Sequence, residues 1–211
     1  MKKLIFLLSC SIIFLSQNTF AHPHAFIEMK TTPIVKEQKL IGFSMKWLLD
    51  RASSSEMLYD LQQAKNDPKE QQKLADEMMN NIVNEHYFSY FYDQKGRKIK
   101  YTSKPQNYGL QNSNSQILYY FDLLLTDPIE LKNTELTLST YDSMYYVSMY
   151  YDEQKNAVDF SPLPSNCQGK ILAPNVDDKT RQYASSLDKT QRDEDFTLGK
   201  QFAQKVIILC K

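Results

Sequence analysis

Between Leu40 and Leu49 the chain alternates with unusual regularity: Ile41, Phe43, Met45, Trp47 and Leu49 fall on one side of an extended backbone, and Gly42, Ser44 and Lys46 on the other. Successive strand side chains point to opposite faces, so this pattern demands a strand with one face on a core and the other toward water. Residues 24 to 36 also read as a strand, and the polar Glu37-Gln38-Lys39 stands between the two. A half-buried hairpin is the expectation. The rest of the fold has to cover its apolar face.

Two helical patterns follow. Ser53-Ser54-Ser55-Glu56 has the spacing of a capping box ahead of Met57, Leu58, Leu61 and Ala64. Asp67-Pro68-Lys69-Glu70 places a cap, a first-turn proline and a reaching glutamate in order, and Leu74, Met78 and Ile82 then recur every fourth residue, which predicts a helix to about Asn84. Met57, Met78 and Met79 read as core at this spacing, although thioethers also suit copper(I). Beyond the helices the strand pattern returns. Residues 87 to 92 and 98 to 102 flank an Asp93-Gln94-Lys95-Gly96 turn and read as an aromatic hairpin. Further strands are expected at 116 to 125, 134 to 141, 144 to 151 and 156 to 160. Pro162 and Pro164 interrupt, Cys167 to Leu172 resumes, 175 to 195 reads as a polar loop with a loose helix, and Val206 to Cys210 closes the chain. The fold class is therefore α+β, an antiparallel β-sheet or sandwich with a two-helix insertion on one side. No internal repeat, Gly-rich phosphate loop, Gly-x-Ser-x-Gly elbow or His-Glu-x-x-His helix is visible, so the expectation is a protein that is not an enzyme.

The amino terminus predicts export. Met1 to Lys3 supply a positive start, Leu4 to Leu15 an apolar stretch, and Thr19-Phe20-Ala21 small residues at the two positions a signal peptidase reads. The apolar stretch is too short to serve comfortably as a span, so residues 1–21 read as a cleaved signal peptide and 22–211 as a single periplasmic domain without a stable membrane anchor. Leu7-Leu8-Ser9-Cys10 offers a weaker alternative, a lipoprotein cut, which would leave an apolar remnant on the mature chain. The whole chain carries 25 basic and 25 acidic residues; losing Lys2 and Lys3 leaves 23 against 25, and nothing in that balance draws nucleic acid or an anionic membrane. Of the 3 cysteines Cys10 leaves with the signal, and Cys167 and Cys210 remain as an even pair in an oxidising compartment. A disulfide is the default reading, worth about 4 kcal/mol in the chain-entropy model. Two thiolate ligands are the competing reading, but the spacing lacks the close Cys pairs of structural zinc sites.

Cleavage after Ala21 would expose His22-Pro23-His24-Ala25-Phe26-Ile27-Glu28. In a strand His22, His24, Phe26 and Glu28 point to one side, and two imidazoles beside a free amine can share one zinc, nickel or copper ion. Three readings stay open here: a metal site, histidines paired inside the fold, and a frayed terminus. His86, the only other histidine, ends the second helix, where it either folds back toward the first strand or serves as a cation at a helix C-terminus. Glu28, Asp50 and Asp142 are the acids to test as completing ligands or as partners orienting an imidazole. Tyr119, Tyr120, Tyr141, Tyr145, Tyr146, Tyr150 and Tyr151 could form a carbohydrate or peptide platform, but alternation divides them between faces, and sheet packing is the preferred reading.

A signal followed by HPHAFIE, the segment Trp47-Leu48-Leu49-Asp50 before the helices, YFSYFYDQKGRKI at 87 to 99, Tyr141-Asp142 with Tyr146, and an ending with Gly199, Phe202-Ala203, Val206 and Cys210 together carry a resemblance. The chain resembles the domain of unknown function 1007 family, labelled a periplasmic component of an uncharacterised ABC-type transport system. The resemblance implies the periplasm and a link to nickel, cobalt or zinc traffic. The leading expectation is thus a periplasmic accessory protein that binds or hands over a divalent transition metal (zinc, nickel or cobalt) for a membrane metal permease or ABC-type transporter. Its ligands would be His22, His24, His86, Glu28, Asp50 and Asp142. The alternative is a non-metal interaction or structural module of a membrane assembly, and a hydrolase with a catalytic metal comes third.

Overall fold

The computed structural model describes residues 23–187, 191, 193 and 196–211. Among them are nine strands in two sheets that are mostly antiparallel, together with four helices, so the α+β expectation holds. The first sheet is built from β1 (Ala25–Lys36), β2 (Lys39–Leu49), β4 (Gln106–Ser113), β5 (Gln116–Glu130) and β7 (Val147–Tyr150), in the order β4-β5-β2-β1-β7. Its β1 and β7 run parallel. The second sheet has the order β3-β6-β9-β8, from β3 (Ser89–Asp93), β6 (Thr134–Thr140), β8 (Cys167–Leu172) and β9 (Lys205–Cys210). Burial joins the two sheets. Met29, Phe43, Met45, Trp47, Phe121 and Leu123 from the first meet Phe91, Leu136, Leu138, Val206 and Ile208 from the second in one core. Phe43 and Phe91 cross between the sheets edge-on, with ring centroids 5.1 Å apart.

The expected hairpin is present, turned by Glu37 and Gln38 at φ 50° and 60°. That pair of left-handed residues matches the right-handed twist of the flanking strands. One detail differs from simple alternation: a bulge at Ile41 shifts the register on both sides of β2, so Leu40 and not Ile41 is fully buried. Strand β4 lies in a stretch without a strand-like apolar pattern. Its sequence QNYGLQNS is polar because it is an edge strand that turns only Tyr108 and Leu110 toward the core.

Helix α1 spans Arg51–Gln63, three residues earlier than a capping box at Ser53 would start it. The reason is Asp50, whose carboxylate accepts the Ser53 N–H at 2.8 Å and takes the cap. Ser54 is fully buried and its Oγ accepts the Ile117 N–H at 2.9 Å, fastening the helix to β5. Helix α2 spans Pro68–Asn84 with Asp67 as its cap, as expected. Its most buried side chains are Ala75, Met79 and Ile82, while Leu74 and Met78 flank them. Tyr119 Oη donates to the Ala75 carbonyl at 3.1 Å, which puts α2 on the core side of the first sheet.

The expected aromatic hairpin forms only in part. Lys98 and Tyr101 make isolated bridges, to Tyr92 in one sheet and Leu125 in the other. Residues 98–102 are a strap between sheets: Ile99 N–H donates to Phe91 O, and Thr102 N–H to Leu124 O. Before the strap, His86, Tyr87 and Phe88 adopt φ 50°, 58° and 48° in succession. Each such residue costs about 1–3 kcal/mol when it is not glycine. Burial of the Tyr87 ring and its hydroxyl bond to Thr102 O, 2.9 Å, hold the turn in place.

Of the expected strand at 144 to 151 only β7 forms, because residues 143–146 coil around the Asp142 side chain. At 156 to 160 a single bridge joins Val158 to Thr31. The polar stretch holds helix α3 (Asp178–Ser186), and a short α4 (Leu198–Phe202) that was not foreseen precedes β9. Cys167 and Cys210 face each other across β8 and β9 and form the expected disulfide. Such a bond fits an oxidising compartment. No helix among the described residues is long and apolar enough to cross a membrane.

Candidate functional site

The first strand enters the sheet between β2 and β7, and three of the six expected ligands, His24, Asp50 and Asp142, lie along its flanks there. His24 N–H donates to Tyr146 O at 2.8 Å. The two rings pack at 4.7 Å with a tilt of 49°, and His24 Nε2 is buried. His22 and residues 1–21, which read in sequence as a signal peptide, lie outside the described residues.

Asp142 is 5% exposed and organises the neighbouring loop. Its Oδ1 accepts the Met144 N–H at 3.2 Å, while Oδ2 accepts those of Tyr146 and Val147 at 2.8 and 3.0 Å. A carboxylate that gathers successive amides in this way substitutes for a regular turn. It delivers Val147 to its position beside Ala25, where the parallel pairing begins. Gly199 closes the arrangement from behind. Its N–H donates to Ser143 O at 3.2 Å, and any Cβ there would run into the Asp142 carbonyl. Only glycine allows that approach.

Asp50 plays a matching role on the other side of β1. Its Oδ2 accepts the Phe26 N–H at 2.7 Å and the Ser53 hydroxyl at 2.9 Å, in addition to the cap bond from Ser53 N–H to Oδ1. Asp50 N–H donates to Phe26 O at 2.9 Å. Burial pushes the Asp50 carboxyl upward, but the bonds from Ser53 and Phe26 outweigh it and hold the group below the usual carboxylate range. Glu28 lies further along β1 and pairs with Lys155 at 2.9 Å, which also meets Asp152 at 3.1 Å. His86 does not join the entrance; it is exposed at the end of α2.

Asp50 and Asp142 are accounted for by the fold, since each carboxylate serves backbone amides. Loss of either carboxylate would leave the backbone amides it holds without their partners. Among the described residues no three of His, Cys, Asp and Glu come together in a way that can hold an ion. What the arrangement does is lock the amino-terminal strand into the sheet from both flanks.

Tyr119 and Tyr120, like Tyr150 and Tyr151, divide between faces, whereas Tyr141, Tyr145 and Tyr146 lie outside the strands and are placed by the coil around Asp142. Tyr141 stacks on Tyr90 at 4.4 Å, Tyr145 on Phe202 at 4.2 Å, and Tyr151 Oη lies 3.0 Å from Thr31 Oγ1 in the core. Tyr120 and Tyr150 instead reach the outer face of the first sheet, the side away from α2. Register places Tyr150 beside Glu28, Glu28 beside Leu48, and Leu48 beside Leu118; the next row runs Lys30, Lys46, Tyr120 and Gly109. Tyr120 lies across Gly109, whose missing side chain makes room for its hydroxyl end. Phe26, Tyr120 and Tyr150 remain 45%, 37% and 37% exposed. Burial and then the Glu28 carboxylate raise the Tyr150 phenol above its ordinary value. The alternation at 40 to 49 implies this face only as the polar half of an amphipathic strand; its aromatic residues come from β1, β5 and β7.

The family model described as "Protein of unknown function (DUF1007)" matches residues 7–210. An uncharacterized protein of Haemophilus influenzae is 54% identical over 199 residues, covering 94% of this chain and 96% of that protein. No solved structure matches. With nearly its whole length matched by the family model and by this relative, the chain belongs to the DUF1007 family.

Proposed function

We propose that the protein is an exported, non-enzymatic accessory module of a membrane assembly, acting in the periplasm through contact between the outer face of its first sheet and a protein partner. The observation that carries this reading is that face. Phe26, Leu48, Leu118, Tyr120 and Tyr150 share it with Lys30 and Lys46, and none of these side chains is fully buried. Aromatic side chains among scattered charges are the composition of a recognition surface. The disulfide and the leader-like first 21 residues support export. The family resemblance supports a transport assembly as the setting. To test this, a photo-crosslinking phenylalanine analogue is placed in turn at Tyr120, at Phe26 and, as control, at Tyr59 on α1, which is 63% exposed. The reading predicts adducts with one membrane-fraction protein from Tyr120 and Phe26 only. Equal adducts from Tyr59, or none from the sheet positions, would contradict it.

Metal hand-over through His22, His24 and a free amino terminus is the second reading. It is favoured by the position of His24 at the very start of the first sheet, where the chain enters the fold. Zinc, nickel and copper titration of the processed protein tests it: uptake lost in a His22→Ala, His24→Ala variant supports the reading, and equal uptake by both proteins removes it.

A further inference from the structure

A cavity of about 530 Å³ opens between the edge of β3 and the strap at 98–103, under the left-handed turn that ends α2. From its position and lining we infer a binding site for a small amphipathic anion, an apolar or aromatic body carrying one carboxylate or sulfonate, separate from the sheet face proposed above. Three observations converge on this ligand class.

The walls are mainly apolar and aromatic, contributed by Val83, Tyr87, Phe91, Ile99 and Tyr101. Tyr87 and Phe91 are 3% and 2% exposed and back the recess from the core, while the part-exposed Val83, Ile99 and Tyr101 present its accessible apolar surface. At the mouth stand Lys98, Lys100 and His86, all exposed, while no Asp or Glu lines the cavity. Neither lysine has a carboxylate within ion-pair distance among the described residues; the nearby Asp93 is taken by Arg97. Unpaired cations around an apolar recess complement an anion with an apolar tail. The third observation is the backbone. Three consecutive residues, none of them glycine, hold left-handed conformations at the cavity's edge, and the Tyr87 hydroxyl reaches across to the Thr102 carbonyl in the strap. Strain of this kind is retained where surrounding structure fixes it, and it concentrates at binding sites.

The spacing of the lysines gives the site its polarity. Lys98 and Lys100 alternate with Ile99 and Tyr101 along the extended strap, so the apolar pair turns inward and the cations outward. A bound ligand would place its body against Val83, Ile99 and Tyr101 and its charge at the mouth, within reach of the lysine ammonium groups.

The test uses the full folded protein and 8-anilino-1-naphthalenesulfonate, which joins an aromatic body to one fixed negative charge. Fluorescence titration should show a single saturable site. Lys98→Gln with Lys100→Gln should weaken it about tenfold, a change on the scale of one good charge contact. Val83→Trp, which fills the recess from α2, should abolish it, with unchanged far-UV circular dichroism confirming folding of each variant. Soluble decanoate should displace the dye. Absence of saturable binding, equal binding by folded Val83→Trp, or displacement by phosphatidylglycerol vesicles but not by decanoate would each overturn the assignment.

Discussion

The entrance to β1 and the cavity beside β3 draw on the same residue types, histidine, tyrosine and charged side chains, yet treat them in opposite ways. At the entrance the carboxylates are spent on the backbone: Asp50 holds Phe26 and Ser53, and Asp142 holds Met144, Tyr146 and Val147. At the cavity the cations of Lys98 and Lys100 have no such engagement among the described residues. The fold alone accounts for the entrance carboxylates, whereas nothing in the fold of the described residues engages the ammonium groups of the cavity lysines. Removing a group from the entrance should cost stability, and removing one from the cavity mouth should not.

The largest effect is expected from Asp142→Ala. It strips partners from three amides around a buried position, and at about 1–3 kcal/mol for each unsatisfied group the loss should reach about 3 kcal/mol or more after partial hydration. Urea unfolding reads it directly, and a variant as stable as the parent would break the contrast between the two regions. Asp50→Ala should cost about 2 kcal/mol, combining a lost cap with the lost Phe26 bond. Acid sensitivity sharpens this case. Because the folded carboxyl titrates below the unfolded value of about 4, its contribution is complete above that pH and disappears as pH falls through the lower folded value. An Asp50→Asn variant should show a shallower stability decline in that acid window, measured by unfolding at stepped pH.

Tyr87→Phe removes the bond that ties the strained turn to the strap, and about 1 kcal/mol is expected from thermal or urea unfolding. Glu28→Gln should change stability by less than about 1 kcal/mol, since Lys155 is about half exposed and keeps Asp152 as a second partner. The smallest effect belongs to Lys98→Gln with Lys100→Gln, whose unfolding midpoint should match the parent's. A clear loss there would show that the lysines serve the fold.

Much of the fold was legible in the sequence where periodicity is strong. The hairpin at 24 to 49, α2 with its Asp67-Pro68 start, and the pairing of Cys167 with Cys210 all follow from local pattern or from counting. Local pattern fails where distant groups decide. Asp50 overrode the Ser53 capping box while also accepting from Phe26, which stands 24 residues away in sequence. The strap at 98–102 looked like the second arm of a hairpin because Ile99 and Tyr101 alternate with lysines; only the tertiary fold reveals that it changes sheets. For the same reason the sequence marks candidate ligands only by residue type and position. Which carboxylate oxygens were already occupied depended on amides contributed by other segments.

The most direct test of this account is a calorimetric zinc titration of the parent protein and Asp50→Asn, paired with their urea unfolding curves. A structural Asp50 predicts the same zinc uptake, or the same lack of it, in both proteins, with a lower unfolding midpoint for the variant. One zinc bound by the parent and lost in Asp50→Asn, with the midpoint unchanged, would make Asp50 a ligand and contradict the account.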